Sequence, residues 1–160
     1  MDITKEYIKM CDCPEIQERW KPQIDDIVYI KNTIHLWNQI EASNASSLSR
    51  ANYFIAIKKG GHYCILISNG LPNYLKKLVI WLPRQDQIQM IMMKDYKNTL
   101  DMLCDFYAVI TVDQPTGFQR MFEVSMEQLW LVFYMFKKHQ KKWDGKKWVV
   151  GGKHGHEKRM

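Results

Sequence analysis

The chain has 160 residues, of which 46% are hydrophobic, 12% aromatic and 25% charged, and its formal net charge is +6. This length is typical of one domain, and an ordinary apolar content with six Trp residues excludes disorder for most of the chain. No apolar run approaches the roughly 18–20 residues of a membrane span and no secretory signal is visible, so we expect a soluble cytoplasmic protein.

Short elements are predicted for the N-terminal part of the chain. Residues 3–11 have the apolar spacing of a helix, with Asp2 as the expected N-cap, and Pro14 is suited to begin a second helical turn. Residues 27–37 are rich in β-branched and aromatic side chains and indicate a strand with a kink or hairpin. The Ser- and Asn-rich residues 38–52 indicate a loop.

The strongest hairpin signal lies within residues 53–68. The segments YFIAIKK and HYCILIS flank Gly60 and Gly61, a pair suited to the positive φ angles of a two-residue turn. Both segments are apolar on both faces, which predicts central positions in a sheet that helices cover. Residues 76–82 (KKLVIWL) are predicted to form the next strand.

Two helices are predicted after this strand. The first begins at Pro83 and extends to about Asp95, with Ile88, Ile91 and Met92 on its buried side. The second covers about residues 100–111 and has Thr99 as its expected cap. It carries the large apolar residues Leu100, Leu103, Phe106 and Tyr107.

A further helix is predicted from Ser125 to about Lys142. Ser125 and Gln128 have the spacing of a capping box, and residues 129–136 are eight consecutive apolar side chains. A helix that is apolar all round is buried in the core or against a second subunit, so a homodimer remains open. After it, the segment WDGK indicates a tight turn, followed by a short edge strand in KKWVV.

Strands that are clustered together, and helices that are clustered together, predict the α+β class. We expect a small antiparallel sheet, with the hairpin at residues 53–68 in its centre, packed against helices. Residues 1–150 are predicted to form a single globular domain, and residues 151–160 a flexible basic tail.

The positive charge is concentrated near the C-terminus. Residues 1–136 contain 14 Lys or Arg and 15 Asp or Glu, whereas residues 137–160 contain nine Lys or Arg and two acids, a net of +7. One interpretation is that this segment binds nucleic acid, with the cations against the phosphate backbone and the Trp rings available to stack on bases. The other is that the cations complement the negative end of a helix dipole. The candidate binding residues are Lys137, Lys138, Lys141, Lys142, Trp143, Lys146, Lys147 and Trp148.

Cysteine and histidine spacing favours no metal, cofactor or disulfide. Cys11 and Cys13 are separated by one residue rather than by the two residues of a zinc knuckle or redox pair. Cys64 and Cys104 lie in apolar stretches and are interpreted as small core residues. The pair His154 and His156 lacks carboxylate partners nearby and is a poor metal site.

A polar cluster follows the strand that is predicted to end at Leu82. Arg84, Gln85, Asp86 and Gln87 lie at the start of a helix, where backbone amides lack intrahelical acceptors. The cluster is either a binding site for an acidic partner group or a capped and solvated first turn in which Asp86 complements the helix dipole.

Four blocks of the sequence carry a resemblance to a known group of proteins. These are EYIKMCDCPEIQERW (6–20), WLPRQDQIQM (81–90), SMEQLWLVFYM (125–135) and KKWDGKKWV (141–149). In order and rough spacing, they resemble small proteins encoded by phages and prophages of Firmicutes and gut bacteria. The resemblance implies a mobile-element protein that works inside a bacterial cell; the group has no established activity, so no catalytic residue follows.

Three functions are consistent with these observations. The first is a non-enzymatic binding protein that engages a host or anti-phage-defence protein or ribonucleoprotein, as an inhibitor of the anti-CRISPR kind. Its candidate surface aromatics are Trp20, Trp37, Trp143 and Trp148. The second is a nucleic-acid-binding accessory protein that uses the basic C-terminal segment. The third is a small enzyme or nucleotide-binding protein with a pocket near His62 or Arg84; His35 also lies on a predicted strand.

Overall fold

A computed structural model describes residues 2–32, 54–56, 63–66, 73–111 and 124–151. The chain divides into two compact units, Met1–Gln87 and Ile88–Met160. Helices and antiparallel sheets are both present, which confirms the α+β class. A single domain over residues 1–150 stays a prediction, and the predicted tail lies outside the described residues beyond Gly151.

The first unit contains the larger sheet. Its elements are α1 (Lys5–Cys11), α2 (Pro14–Gln17), β1 (Ile27–Ile30), β2 (Phe54–Ala56), β3 (Tyr63–Leu66), α3 (Asn73–Lys76) and β4 (Val79–Leu82). Helix α4 (Gln85–Met93) begins in this unit and ends in the second. The second unit adds α5 (Thr99–Thr111), α6 (Met126–His139), β5 (Lys141–Trp143) and β6 (Trp148–Val150).

The larger sheet is antiparallel throughout, with the strand order β2-β3-β1-β4. Strand β2 pairs with β3 from Phe54 opposite Leu66 to Ala56 opposite Cys64, as expected for the two arms of the predicted hairpin. The Gly60-Gly61 turn itself lies outside the described residues. Among the strands that the structure describes, β3 is central but β2 lies at an edge, so the expectation of two central strands is wrong for β2.

Helices α1 and α2 are fixed to β4 by buried polar contacts. The hydroxyl of Tyr7 donates to the carbonyl oxygen of Pro83 at 2.5 Å. The side-chain amide of Gln17 donates to the carbonyls of Cys11 and Trp81 and accepts the amide of Trp81 at 3.0 Å. Because one glutamine satisfies backbone groups on both a helix corner and a strand, it fixes their relative position.

Three predicted boundaries in the first 82 residues are wrong. Thr4, not Asp2, caps α1, because its hydroxyl accepts the amide of Tyr7 at 3.1 Å; Asp2 instead accepts the amide of Thr4. Strand β1 ends at Ile30, and residues 33–37 of the predicted strand lie outside the described residues. The predicted strand 76–82 begins only at Val79, because α3 and the turn after it occupy the preceding residues.

The second unit is built around α6, whose cap and burial confirm the sequence prediction. The hydroxyl of Ser125 accepts the amide of Gln128 at 3.1 Å, and residues Trp130 to Met135 are all buried. The helix ends at His139 rather than near residue 142. Gln140 there adopts the left-handed conformation at φ 53°, and its amide bonds the last carbonyls of the helix, so the chain turns into β5.

Helix α5 begins at Thr99, but Asn98 rather than Thr99 has the capping contact, because its side-chain oxygen accepts the amide of Asp101 at 2.9 Å. The buried side chains of this helix are Met102, Val109 and Ile110, while Leu100, Leu103 and Tyr107 are exposed. Phe106 packs inward, where its ring stacks on Trp130 at 4.2 Å between centroids.

Candidate functional site

The polar cluster at the start of α4 is closed by contacts within the first unit. The guanidinium of Arg84 bonds both carboxylate oxygens of Asp86, at 3.1 and 3.2 Å, and the carbonyl oxygen of Asp25 at 3.0 Å. The hydrogen bond with Asp86 raises the pKa of Arg84 and lowers the pKa of the Asp86 carboxyl. The Arg84 guanidinium, a candidate binder of an acidic partner group, therefore already binds a neighbouring carboxylate. This agrees with the alternative interpretation of the cluster as a capped first turn of the helix. Gln85, half-buried, makes no hydrogen bond with a side chain of the described residues.

Gln87 belongs to a buried network that the sequence did not reveal. Its side-chain oxygen accepts the amide of Arg84 at 2.9 Å, and its side-chain nitrogen donates to Asp26 at 2.6 Å. The Asp26 carboxylate is buried and also accepts the indole N–H of Trp20 and the amide of Gln23, both at 2.8 Å. Trp20, expected at the surface, is buried here and stacks on Trp81. Gln87 and Asp26 therefore have structural roles.

Two of the candidate lysines at the end of α6 form ion pairs within the second unit. Lys137 lies 2.6 Å from the Asp105 carboxylate, and Lys138 pairs with Asp95. The Tyr96 hydroxyl donates to the same Asp105 at 2.5 Å. Burial acts to raise the pKa of Asp105, but the bonds from Lys137 and Tyr96 outweigh it and leave the pKa below its ordinary value. Burial and this carboxylate together raise the pKa of Tyr96 well above its ordinary range.

The hairpin of β5 and β6 places the remaining candidate cations around two indole rings. Trp143 and Trp148 contact each other edge to face, with 5.1 Å between centroids, and Trp143 is buried, so the expectation of an exposed ring is wrong for Trp143. Lys142 lies over the ring of Phe136, and Lys141 is half-buried.

The tip of this hairpin is ordered by Asp144 and keeps two exposed cations. The carboxylate of Asp144 accepts the amides of Lys147 and Lys146, at 2.8 and 2.7 Å, and these bonds lower its pKa. Lys146 and Lys147 themselves are exposed. They are the candidate cations with the most direct access from solvent within the described hairpin.

One exposed apolar surface lies on α5 and was not among the candidate sites of the sequence. Leu100 and Tyr107 are each 69% exposed and Leu103 is 42% exposed. Cys104, interpreted as a core residue, is also exposed. These four residues occur at helical spacing on α5 and form one stripe, here named the α5 face. Single exposed apolar residues are ordinary, whereas several in one stripe make the α5 face a candidate interaction surface.

Cys11 is buried, and burial raises the pKa of its thiol. Several candidates lie outside the described residues: His35, Trp37, His62, His154, His156 and the side chain of Cys64.

Within the described ranges, no group of three or more His, Cys, Asp or Glu side chains is arranged to hold a metal ion. None of the described helices has the length and apolar content to cross a bilayer.

Comparison with protein-family models, with curated proteins and with solved structures found no match.

Proposed function

We propose that this chain is a non-enzymatic binding protein of a phage or prophage, and that it engages a protein of the bacterial host or of its anti-phage defence in the cytoplasm. The α5 face is the observation that carries this proposal. The resemblance of the four sequence blocks to phage and prophage proteins supplies the cellular context.

The α5 face has the chemistry of a protein contact. Burial of a Leu or an aromatic side chain contributes about 1.5–3 kcal/mol, so three large side chains in one stripe offer a substantial gain to a partner that covers them. Aromatic residues are enriched among the side chains that dominate binding energies, and Tyr107 supplies one here. The face therefore favours a protein partner over a small polar ligand.

Two cations that precede α5 along the chain suggest the character of the partner. Lys94 and Lys97 precede the stripe and are exposed, and neither forms an ion pair with another described residue. A partner surface with an apolar ridge and flanking carboxylates would complement both features, because charge complementarity steers association and excludes wrong partners.

Two of the other candidate cations support this choice, because each already has a carboxylate partner. Arg84 binds Asp86, and Lys137 binds Asp105. A partner that used either cation would first have to displace a carboxylate from it, which costs binding energy. The large side chains of the α5 face are exposed, so a partner would not have to displace a described carboxylate from them.

The proposal is tested by capturing partners from a nuclease-treated lysate of a Firmicutes host on immobilised protein. Leu100→Glu and Tyr107→Glu each place a charge on the α5 face. Met90→Glu is the matched control, since Met90 is 70% exposed on α4. We expect one stoichiometric protein with the wild type and with Met90→Glu, and its loss with both α5 variants. Loss with all three variants, or retention by all three, would contradict the proposal, provided that circular dichroism shows native folding.

A second candidate function, nucleic-acid binding, is favoured by the exposed Lys146 and Lys147 at the hairpin tip. It requires salt-sensitive binding. On duplex DNA, the slope of log affinity against log salt concentration becomes more negative by about 0.9 for each phosphate contact. Lys146→Gln with Lys147→Gln would then reduce that slope. The third candidate, an enzyme or nucleotide-binding protein, rests on Arg84 and His62. The guanidinium of Arg84 is already bonded to Asp86, and His62 lies outside the described residues.

A further inference from the structure

A polar cleft of about 350 Å³ lies in the first unit, where the corner between α1 and α2 faces the end of β1 and the start of β4. Its size falls within the range of about 300–1,000 Å³ that small-molecule sites occupy. The cleft is lined by Asp12, Cys13, Pro14, Gln17, Glu18, Lys31, Lys76, Lys77 and Val79.

The walls of this cleft are fixed by hydrogen bonds. Gln17 joins the α1–α2 corner to the backbone of Trp81 on β4. Lys31 forms an exposed ion pair with Asp12 at 2.8 Å, and its backbone amide donates to the carbonyl of Leu78. A cleft whose walls are held by such bonds is largely preformed, which lowers the conformational cost of binding.

The charges of the lining are segregated. Asp12 lies at the corner between α1 and α2 and Glu18 directly follows α2, whereas Lys76 and Lys77 lie at the end of α3. Lys31 neutralises Asp12, but the amines of Lys76 and Lys77 have no ion pair or hydrogen bond with any described residue. The cleft therefore offers two neighbouring cations on one side and carboxylate acceptors on the other.

We propose that this cleft binds a phosphorylated sugar, the chemical class that includes nucleotides. The phosphate lies against Lys76 and Lys77, since lysine binds phosphate as a compact point charge. The sugar hydroxyls donate to Glu18 and to the free lone pairs of Asp12. Pro14 and Val79 contact the apolar face of the ring. This site does not depend on the protein partner proposed for α5.

The site is tested by calorimetric titration of the full chain with ribose 5-phosphate, and separately with inorganic phosphate, at constant ionic strength. Two lysine pairs are compared. Lys76→Gln with Lys77→Gln removes the cleft cations, and Lys146→Gln with Lys147→Gln removes the same charge from the exposed hairpin tip. A Glu18→Gln variant tests the hydroxyl contact, and circular dichroism confirms folding.

We expect saturable binding of ribose 5-phosphate that the cleft pair weakens by at least about tenfold and the tip pair by less than about twofold. Glu18→Gln should weaken ribose 5-phosphate but not inorganic phosphate. Absence of saturable binding of ribose 5-phosphate, or equal weakening by both lysine pairs, overturns the site. If ribose 5-phosphate and inorganic phosphate bind with equal affinity, and Glu18→Gln changes neither affinity, the assignment of the site to a phosphorylated sugar is overturned.

Discussion

Truncation of Trp130 should have the largest effect on stability of any single substitution in α6. The indole is buried, stacks on Phe106 at 4.2 Å and contacts Phe133 edge to face at 5.6 Å between centroids. Replacing a buried Trp by Ala costs about 3–5 kcal/mol, a large part of the roughly 5–15 kcal/mol by which native proteins are stable. Trp130→Ala should therefore lower the urea midpoint strongly, measured by far-ultraviolet circular dichroism.

A second variant at the same position separates packing from polarity. The indole N–H of Trp130 is buried and has no hydrogen-bond partner among the described residues. Leaving such a donor buried costs about 1–3 kcal/mol, so Trp130→Phe, which keeps a stacked ring and removes the N–H, should lose much less stability than Trp130→Ala. Leu100→Ala on the exposed α5 face is the control and should change stability by no more than about 0.5 kcal/mol. If Trp130→Ala unfolds at the wild-type urea concentration, the aromatic cluster does not hold this unit together.

Two further substitutions test the polar contacts. The pKa of Asp105 is lowered in the folded protein, so its contribution to stability is present above the unfolded value of about 3.9 and lost as the pH falls through the folded value. Asp105→Asn should lower the urea midpoint at neutral pH and reduce its decline in acid; an unchanged decline would contradict this role. Asp26→Ala leaves the buried donors of Trp20 and Gln87 without their acceptor and should cost about 1–3 kcal/mol for each, whereas a wild-type midpoint would show that the network is dispensable.

Local signals predicted the parts of the fold in which neighbours along the chain decide the structure. Ser125 and Gln128 form their cap within one helical turn, and six consecutive residues of the apolar run after them, Trp130 to Met135, are buried. In such a run no choice of face is required. The pairing of β2 with β3 likewise follows from two apolar segments joined by a short turn sequence.

Periodicity does not show which side of α5 packs, because this helix has two apolar faces. Leu100, Leu103 and Tyr107 have helical spacing, and so do Met102, Val109 and Ile110. Spacing shows that each set shares a side of the helix but not which side packs. The packing against helix α6 determines which face is buried. Trp130 on α6 stacks on Phe106, so one face of α5 points inward and the other stays exposed. That information lies in a helix far along the chain.

The same distinction explains the candidate sites. The bond of Arg84 to Asp86 joins residues two apart and was among the sequence alternatives, whereas Gln87 reaches Asp26, 61 residues away, which no motif indicated. The polar cleft combines side chains from the α1–α2 corner, the end of β1 and the end of α3. Sites assembled from distant segments become visible only when the sheet brings them together.

The most direct test of the proposed function is photo-crosslinking from the α5 face inside the bacterial host. A photo-reactive phenylalanine analogue at position 107 replaces an exposed aromatic ring, and the same analogue at position 90 provides a control of equal exposure. We expect irradiation to link one host or defence protein to position 107 and nothing to position 90. Equal products from both positions, or no product from position 107, would contradict a protein-binding face on α5.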